Sequence, residues 1–140
     1  MRAITVAVTV DNKMGVAFNK RRQSRDKKLI EDLCLSTENE ISISSYSLPL
    51  FEEWTSRVKV YGSPLAECAD GGVCFVEISA IGKHVDEISE LIVYRWNKVY
   101  PSDKKLDIIP EECGFIKVST SDFAGNSHDV ITKEIYRKAV

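Results

Sequence analysis

Apolar positions in this chain gather into short runs separated by polar or turn-forming stretches, and most runs carry the period of a strand. Residues 3–10, Ala-Ile-Thr-Val-Ala-Val-Thr-Val, are small or β-branched on both alternating sets. That predicts a strand covered on two faces, and so a central one. Asp11-Asn12-Lys13-Met14-Gly15 supplies turn chemistry, and a polar loop then runs to Ser24. Ser24 reads as the N-cap of a helix over about residues 25–36, with Asp26 in the first turn and Leu29, Ile30, Leu33 and Cys34 on one face. Residues 40–45 alternate around Ile41 and Ile43 as a strand. Residues 46–54 predict a short second helix with Pro49 in its first turn. Val58, Val60 and Tyr61 form another strand, closed by Gly62-Ser63-Pro64.

Asp70-Gly71-Gly72 is a strong turn before an apolar run at 73–78, which reads as a buried strand. Glu77 is unusual inside that run: it is either a side chain at the strand's end or on a solvated edge, or a functional carboxylate. Ser79 can cap a helix over about 80–88, and residues 91–96 make the next strand. Residues 115–120 and about 130–136 alternate well enough to pair antiparallel across a loop at 121–129. Strands alternating with helices, then a terminal strand pair, predict one α/β domain. Its sheet is mixed and mainly parallel, flanked by helices in three layers, and ends in an antiparallel hairpin.

Composition narrows the function classes. At 140 residues, 44% hydrophobic and 29% charged, the chain is one ordinary folded domain. Nineteen Lys and Arg against 21 Asp and Glu give a net charge of −2, which argues against coating nucleic acid by bulk charge, so any anion site must be local. No apolar run reaches the roughly 18 residues of a membrane helix, and no signal-peptide pattern opens the chain, so a cytoplasmic protein is expected. Cys34, Cys68, Cys74 and Cys113 show no C-x-x-C spacing; Cys34 and Cys74 read as buried apolar residues. Two histidines, His84 and His128, exclude metal clusters built on several imidazoles, and both read as surface residues. No metal site is expected.

The order of elements and several landmarks resemble dihydrofolate reductase over nearly the whole chain. The carrying stretches are Ile4 to Val10, Asp11-Asn12-Lys13-Met14-Gly15, Ser24-Arg25-Asp26-Lys27-Lys28-Leu29-Ile30 and Phe51 to Val60. Further matches are Tyr100-Pro101, Asn126-Ser127-His128 and Tyr136-Arg137. The resemblance implies a cleft for a small anionic or heterocyclic ligand, a pterin or a nucleotide, and, if the chain is an enzyme, hydride transfer from NADPH. It puts Asp26 on the acidic pterin-binding position, Arg57 on the arginine that meets the folate carboxylate, and Tyr94 where the family carries a pterin-contacting threonine. Departures are as specific. Ser44-Ser45-Tyr46-Ser47 stands where the family has its Gly-Arg-x-Thr phosphate turn, Ser79-Ala80-Ile81-Gly82 replaces its paired glycines, and Arg21-Arg22 replaces the Pro-Trp of its mobile loop.

Arg21-Arg22-Gln23-Ser24-Arg25-Asp26 and Phe123-Ala124-Gly125-Asn126-Ser127-His128 also resemble a group of short bacterial proteins labelled ribonuclease Z. The His-x-His-x-Asp-His metal motif of the zinc enzyme of that name needs more imidazoles than this chain has.

Residues 20–28 hold six of the 19 basic residues just before and at the start of a predicted helix. Arg21, Arg22 and Arg25 there could contact a phosphate or carboxylate. Alternatively the segment is a solvated loop, or binds nucleic acid or another anionic partner without catalysis; aromatic interleaving is absent. Asp26 could hydrogen-bond a protonated heterocycle or relay a proton; otherwise it serves the helix dipole. Ser127-His128-Asp129 has the residue types of a hydrolase triad, but consecutive residues rarely converge on one substrate atom. G-x-S-x-G, G-x-G-x-x-G and P-loop motifs are absent. An interaction module with no small-molecule site is expected only if side chains such as Tyr46 and Tyr94 fill the cleft.

Overall fold

The double apolar alternation of residues 3–10 decides the architecture. In the computed structural model, which describes residues 2–139, strand β1 (Ile4–Val10) is buried along nearly its whole length. Ile4, Val6, Val8 and Val10 enter one apolar cluster and Ala7 enters the opposite one, as alternating Cβ directions require. Along the chain follow β2 (Gly15–Phe18), β3 (Arg21–Arg22), helix α1 (Lys27–Leu35), β4 (Ile41–Ile43) and β5 (Val58–Val60). Then come helix α2 (Pro64–Glu67), β6 (Val73–Phe75), β7 (Ile88–Arg95), β8 (Lys104–Lys105), β9 (Phe115–Phe123) and β10 (Ile131–Lys138).

Seven strands form one sheet in the order β5-β4-β6-β1-β7-β10-β9. Neighbours from β5 to β7 are parallel, and β10 runs antiparallel to both β7 and β9. This is the mixed, mainly parallel sheet with a terminal antiparallel hairpin that the pattern predicts. On one face α1 buries Leu29, Ile30, Leu33 and Cys34 against Ile41, Phe75, Tyr94 and Trp96. Full burial of each leucine or isoleucine there contributes about 1.5–3 kcal/mol. The other face is covered by Leu65 of α2 together with Ile81, Ile108 and Phe115. Among the described residues no helix is long and apolar enough to cross a membrane.

Four local expectations differ. Helix α1 begins at Lys27 with Asp26, not Ser24, as its N-cap; the Asp26 carboxylate accepts from the Lys28 amide at 2.9 Å. Residues 46–54 do not make an α-helix: a 3₁₀ segment, Ser45–Phe51, holds Pro49 in its interior, where a short i→i+3 turn tolerates the missing donor. The helix placed at 80–88 is a 3₁₀ segment, Gly82–Glu87, without a side-chain cap of its own. Its start is held by Asp107, which accepts from the amides of Ile81 and Gly82 at 2.9 and 2.8 Å. Finally, the supposed loop before Ser24 contains β2 and β3, which form a separate three-stranded antiparallel sheet with β8.

Candidate functional site

Parallel strands leave their carboxyl ends on one edge of the sheet, and open α/β sheets bind ligands in the crevice outside those ends. Two regions meet at that edge here. One is organised by Asp26 and the loop that follows β9, the other by Glu77 just beyond the end of β6.

Asp26 has no exposed side-chain surface. As N-cap it takes the Lys28 amide, and the 124–128 loop adds the amides of Asn126 and Ser127 at 2.8 Å each and His128 Nδ1 at 3.0 Å. Burial opposes the charge, but the hydrogen bonds from Asn126, His128, Ser127 and Lys28 outweigh it and hold the carboxyl down at about 2. Gly125 permits this closure: a Cβ there would lie 2.6 Å from both Asp26 Oδ2 and the His128 carbonyl.

His128 is buried rather than on the surface. Its ring stacks on Trp96 with centroids 4.6 Å apart, and Nε2 lies 3.0 Å from Ser24 Oγ and 2.9 Å from Tyr100 Oη. Beside Ser24 lies a void of about 10 Å³, lined also by Thr9, Phe75, Glu77 and Trp96. A larger cavity of about 360 Å³ opens on the outer side of Asp26, between Arg25, Lys27, Ile30, Leu50 and Asn126.

Glu77 is also buried, yet charge pairing secures it. Arg22 Nε and Nη2 reach its two oxygens at 2.6 and 3.0 Å, and the Ser47 hydroxyl donates to it at 2.7 Å. The hydrogen bond from Arg22 to Glu77 raises the guanidinium's pKa further, and the guanidinium also lies 4.3 Å above the Tyr46 ring. Over this floor lies the largest cavity described, about 580 Å³. Ser44 after β4, Gly62 and Ser63 beyond β5, and the residues from Val76 to Ala80 after β6 form its walls. Lys20, Lys83 and Lys104 bring cationic groups to it, and His84 an imidazole, from three separate segments. Tyr46 lines the cleft without filling it.

The remaining expected contacts lie as follows. Arg21 and Arg25 are exposed, and Arg25 borders the 360 Å³ cavity. Lys27 pairs with Glu53 and Lys28 with Glu31, both at 3.6 Å, so part of the charge of residues 20–28 is neutralised locally. Arg57 donates to the carbonyls of Cys34, Thr37 and Asn39, clamping the chain just past α1. Tyr94 is wholly buried, its hydroxyl 2.6 Å from Asp32 Oδ2. Burial foremost, then the Asp32 charge, raises its pKa. Neither Arg57 nor Tyr94 lines the 580 or the 360 Å³ cavity.

Of the lysines around the large cleft, Lys20 belongs to the basic segment 20–28, while Lys83, Lys104 and the burial of His128 escape sequence reading. Each of these rests on contacts between segments far apart in the chain. For the walls a signal existed as well, because Ser44-Ser45-Tyr46-Ser47 and Ser79-Ala80 already stood out as departures from a phosphate site.

No protein-family model matches the chain, and no curated protein does. Solved structures do match. A dihydrofolate reductase from Enterococcus faecalis, in complex with NADP(H) and RAB-propyl, superposes with a TM-score of 0.66 at 12% identity, covering 99% of this chain and 98% of that one. The chain therefore has the dihydrofolate reductase fold, strongly diverged in sequence. Identity this low carries the fold alone, and function has to be argued from the site.

Proposed function

We propose that this chain binds a phosphate-bearing nucleotide in the 580 Å³ cleft, with NADPH the first ligand to try. The observation that carries the reading is the cleft itself: an open cavity of ligand size at the carboxyl ends of parallel strands, with three lysines and a histidine on its walls. The fold neighbour, solved with NADP(H), makes a dinucleotide the natural choice. Lys20, Lys83 and Lys104 would meet phosphate charge, and the hydroxyls of Ser44 and Ser63 would replace donors expected from a glycine-rich turn. Arg22 and Glu77 neutralise each other, so the floor adds no net charge. When bound, a reduced nicotinamide dinucleotide would supply a hydride to an acceptor.

Titrating the protein with NADPH at low and moderate salt, following emission of Trp54 and Trp96 and of the cofactor, tests this. Saturable micromolar binding that survives moderate salt and weakens about tenfold in Lys83→Glu supports the reading. No saturation, or an affinity unchanged by Lys83→Glu, overturns it.

A further inference from the structure

His84 differs from the three lysines of the large cleft in that an imidazole changes its charge near neutral pH. It lies in the 3₁₀ segment Gly82–Glu87 and lines the cleft beside Lys83. Its Nδ1 is 3.2 Å from Glu87 Oε2, and among the described residues no group bonds to its Nε2. Glu87 is in turn gripped by Arg2, whose Nε and Nη2 reach Oε1 and Oε2 at 3.2 and 2.6 Å. The same guanidinium donates to the carbonyls of Leu65, Ala66 and Cys68 at 2.7, 3.1 and 2.9 Å. One arginine therefore ties α2, whose Pro64 and Leu65 wall the cleft, to the segment that carries the imidazole.

The hydrogen bond from Arg2 foremost, and then that from His84, holds the Glu87 carboxyl at about 2. Glu87 is thus ionised and can only accept, so Nδ1 carries a ring proton and Nε2 is the nitrogen that gains or loses one. Neutral, Nε2 presents a lone pair that repels a phosphate oxygen; protonated, it donates to one. Few other acids compete for that proton. Glu77, paired with Arg22, is the one carboxylate lining the cleft among the described residues. Asp107 is committed to the amides of Ile81 and Gly82 and Glu67 to that of Ser63, while Asp86 is exposed on the segment's own chain. Lys20, between β2 and β3, and Lys104 of β8 complete the charges on the cleft walls with Lys83. We infer that a phosphate group bound in the cleft takes up a proton at His84, which makes this imidazole a pH-dependent ligand contact and Glu87 and Arg2 its positioning residues. The inference rests on the reading of the cleft as a nucleotide site and adds how that site is regulated. Because the occupied cleft holds more protons than the free one, affinity rises as pH falls through the range in which imidazoles titrate.

The chain has two histidines, and the buried His128 does not line the cleft, so it serves as an internal control. Imidazole resonances of the unmodified protein are followed by NMR against pH, with and without saturating NADPH, and His84→Asn assigns them. Expected is a His84 midpoint about one pH unit higher in the presence of NADPH, with His128 unmoved. In parallel, NADPH affinity is measured at about pH 6 and about pH 8. The ligand's own phosphate also titrates there, but equally for both proteins, so the ratio of the unmodified affinity to that of His84→Asn isolates the imidazole. That ratio should be about fivefold larger at the lower pH, and Glu87→Gln, which removes the facing charge, should shrink it. A His84 midpoint unmoved by NADPH that does saturate, or the same pH dependence in His84→Asn, overturns this inference and leaves the nucleotide reading standing. Absence of saturation at either pH overturns both. The NMR arm uses the unmodified chain, so its outcome does not depend on any variant folding.

Discussion

The two regions at the carboxyl edge of the sheet each bury a carboxylate and neutralise it by opposite means. Asp26 is held by three backbone amides, an imidazole and the Ser127 hydroxyl, most of them brought by one loop. Glu77 is held by a guanidinium and a hydroxyl. Satisfying Asp26 with amides requires the loop to close over it, and free space beside Ser24 shrinks to about 10 Å³. Satisfying Glu77 with a long side chain from β3 leaves the space above it open, at about 580 Å³. A folded chain can thus keep the same buried charge either as a fastener or as the floor of a cleft. Which one results depends on whether the partner groups are backbone or side chain.

If Asp26 is a fastener, its removal is a matter of stability. Asp26→Ala leaves three amides and the His128 ring without their acceptor, and a loss of about 3–5 kcal/mol in chemical denaturation is expected. Nucleotide affinity of the folded fraction should stay within about twofold. A loss below about 1 kcal/mol would break the comparison at its base.

Acid should reveal the same carboxylate. Its pKa is lowered from 3.8 in the unfolded chain to about 2 in the fold. A depressed carboxylate contributes stability that is complete above the unfolded value and is lost as pH falls through the folded one. Between about pH 4 and 2 the protein should therefore lose about 2 kcal/mol from this group alone. Asp26→Asn should flatten that part of the stability profile measured by denaturant titration at stepped pH, and an unchanged slope would show that other groups carry it.

Gly125→Ala is the next smaller effect. The added Cβ meets Asp26 Oδ2 and the His128 carbonyl at 2.6 Å, so the loop must shift, at a cost of about 1–3 kcal/mol. A thermal melt and the emission of Trp96, stacked on His128, should both report it.

How much of this was legible beforehand follows from the range of the interactions. Residues 3–10 announce a central strand because both alternating sets are apolar, and the closing hairpin is readable for the same local reason. The fold resemblance also marked Ser44 to Ser47 and Ser79-Ala80 as departures from a phosphate site, and Ser44, Tyr46, Ser79 and Ala80 line the large cleft. Asp26 could be placed at the start of α1, but its exhaustion by the 124–128 loop could not, since those partners lie about a hundred positions away. His128 read as a surface residue because nothing next to it in the chain shows Trp96 stacked on its ring and Tyr100 meeting it edge-on. Local pattern reports which face of an element is buried. It does not report which loop lies over it.

Arg57 and Lys83 give the finest version of the contrast. Both are cations, one on the family's folate-carboxylate position and the other unremarked in the sequence. Arg57 already donates to the carbonyls of Cys34, Thr37 and Asn39, whereas Lys83 is exposed on the wall of the open cleft. Arg57→Gln should therefore cost about 1 kcal/mol of stability, through the lost clamp behind α1, and leave NADPH affinity within about twofold. Lys83→Glu should do the reverse, shifting stability by less than about 0.5 kcal/mol while weakening the nucleotide about tenfold. Running both variants through the same melt and the same titration separates a cation that holds the fold from one that faces a ligand. Were Arg57→Gln to weaken binding as much as Lys83→Glu, the ligand would have to extend past the cleft to the carboxyl end of α1, and the division between a closed and an open region would no longer hold.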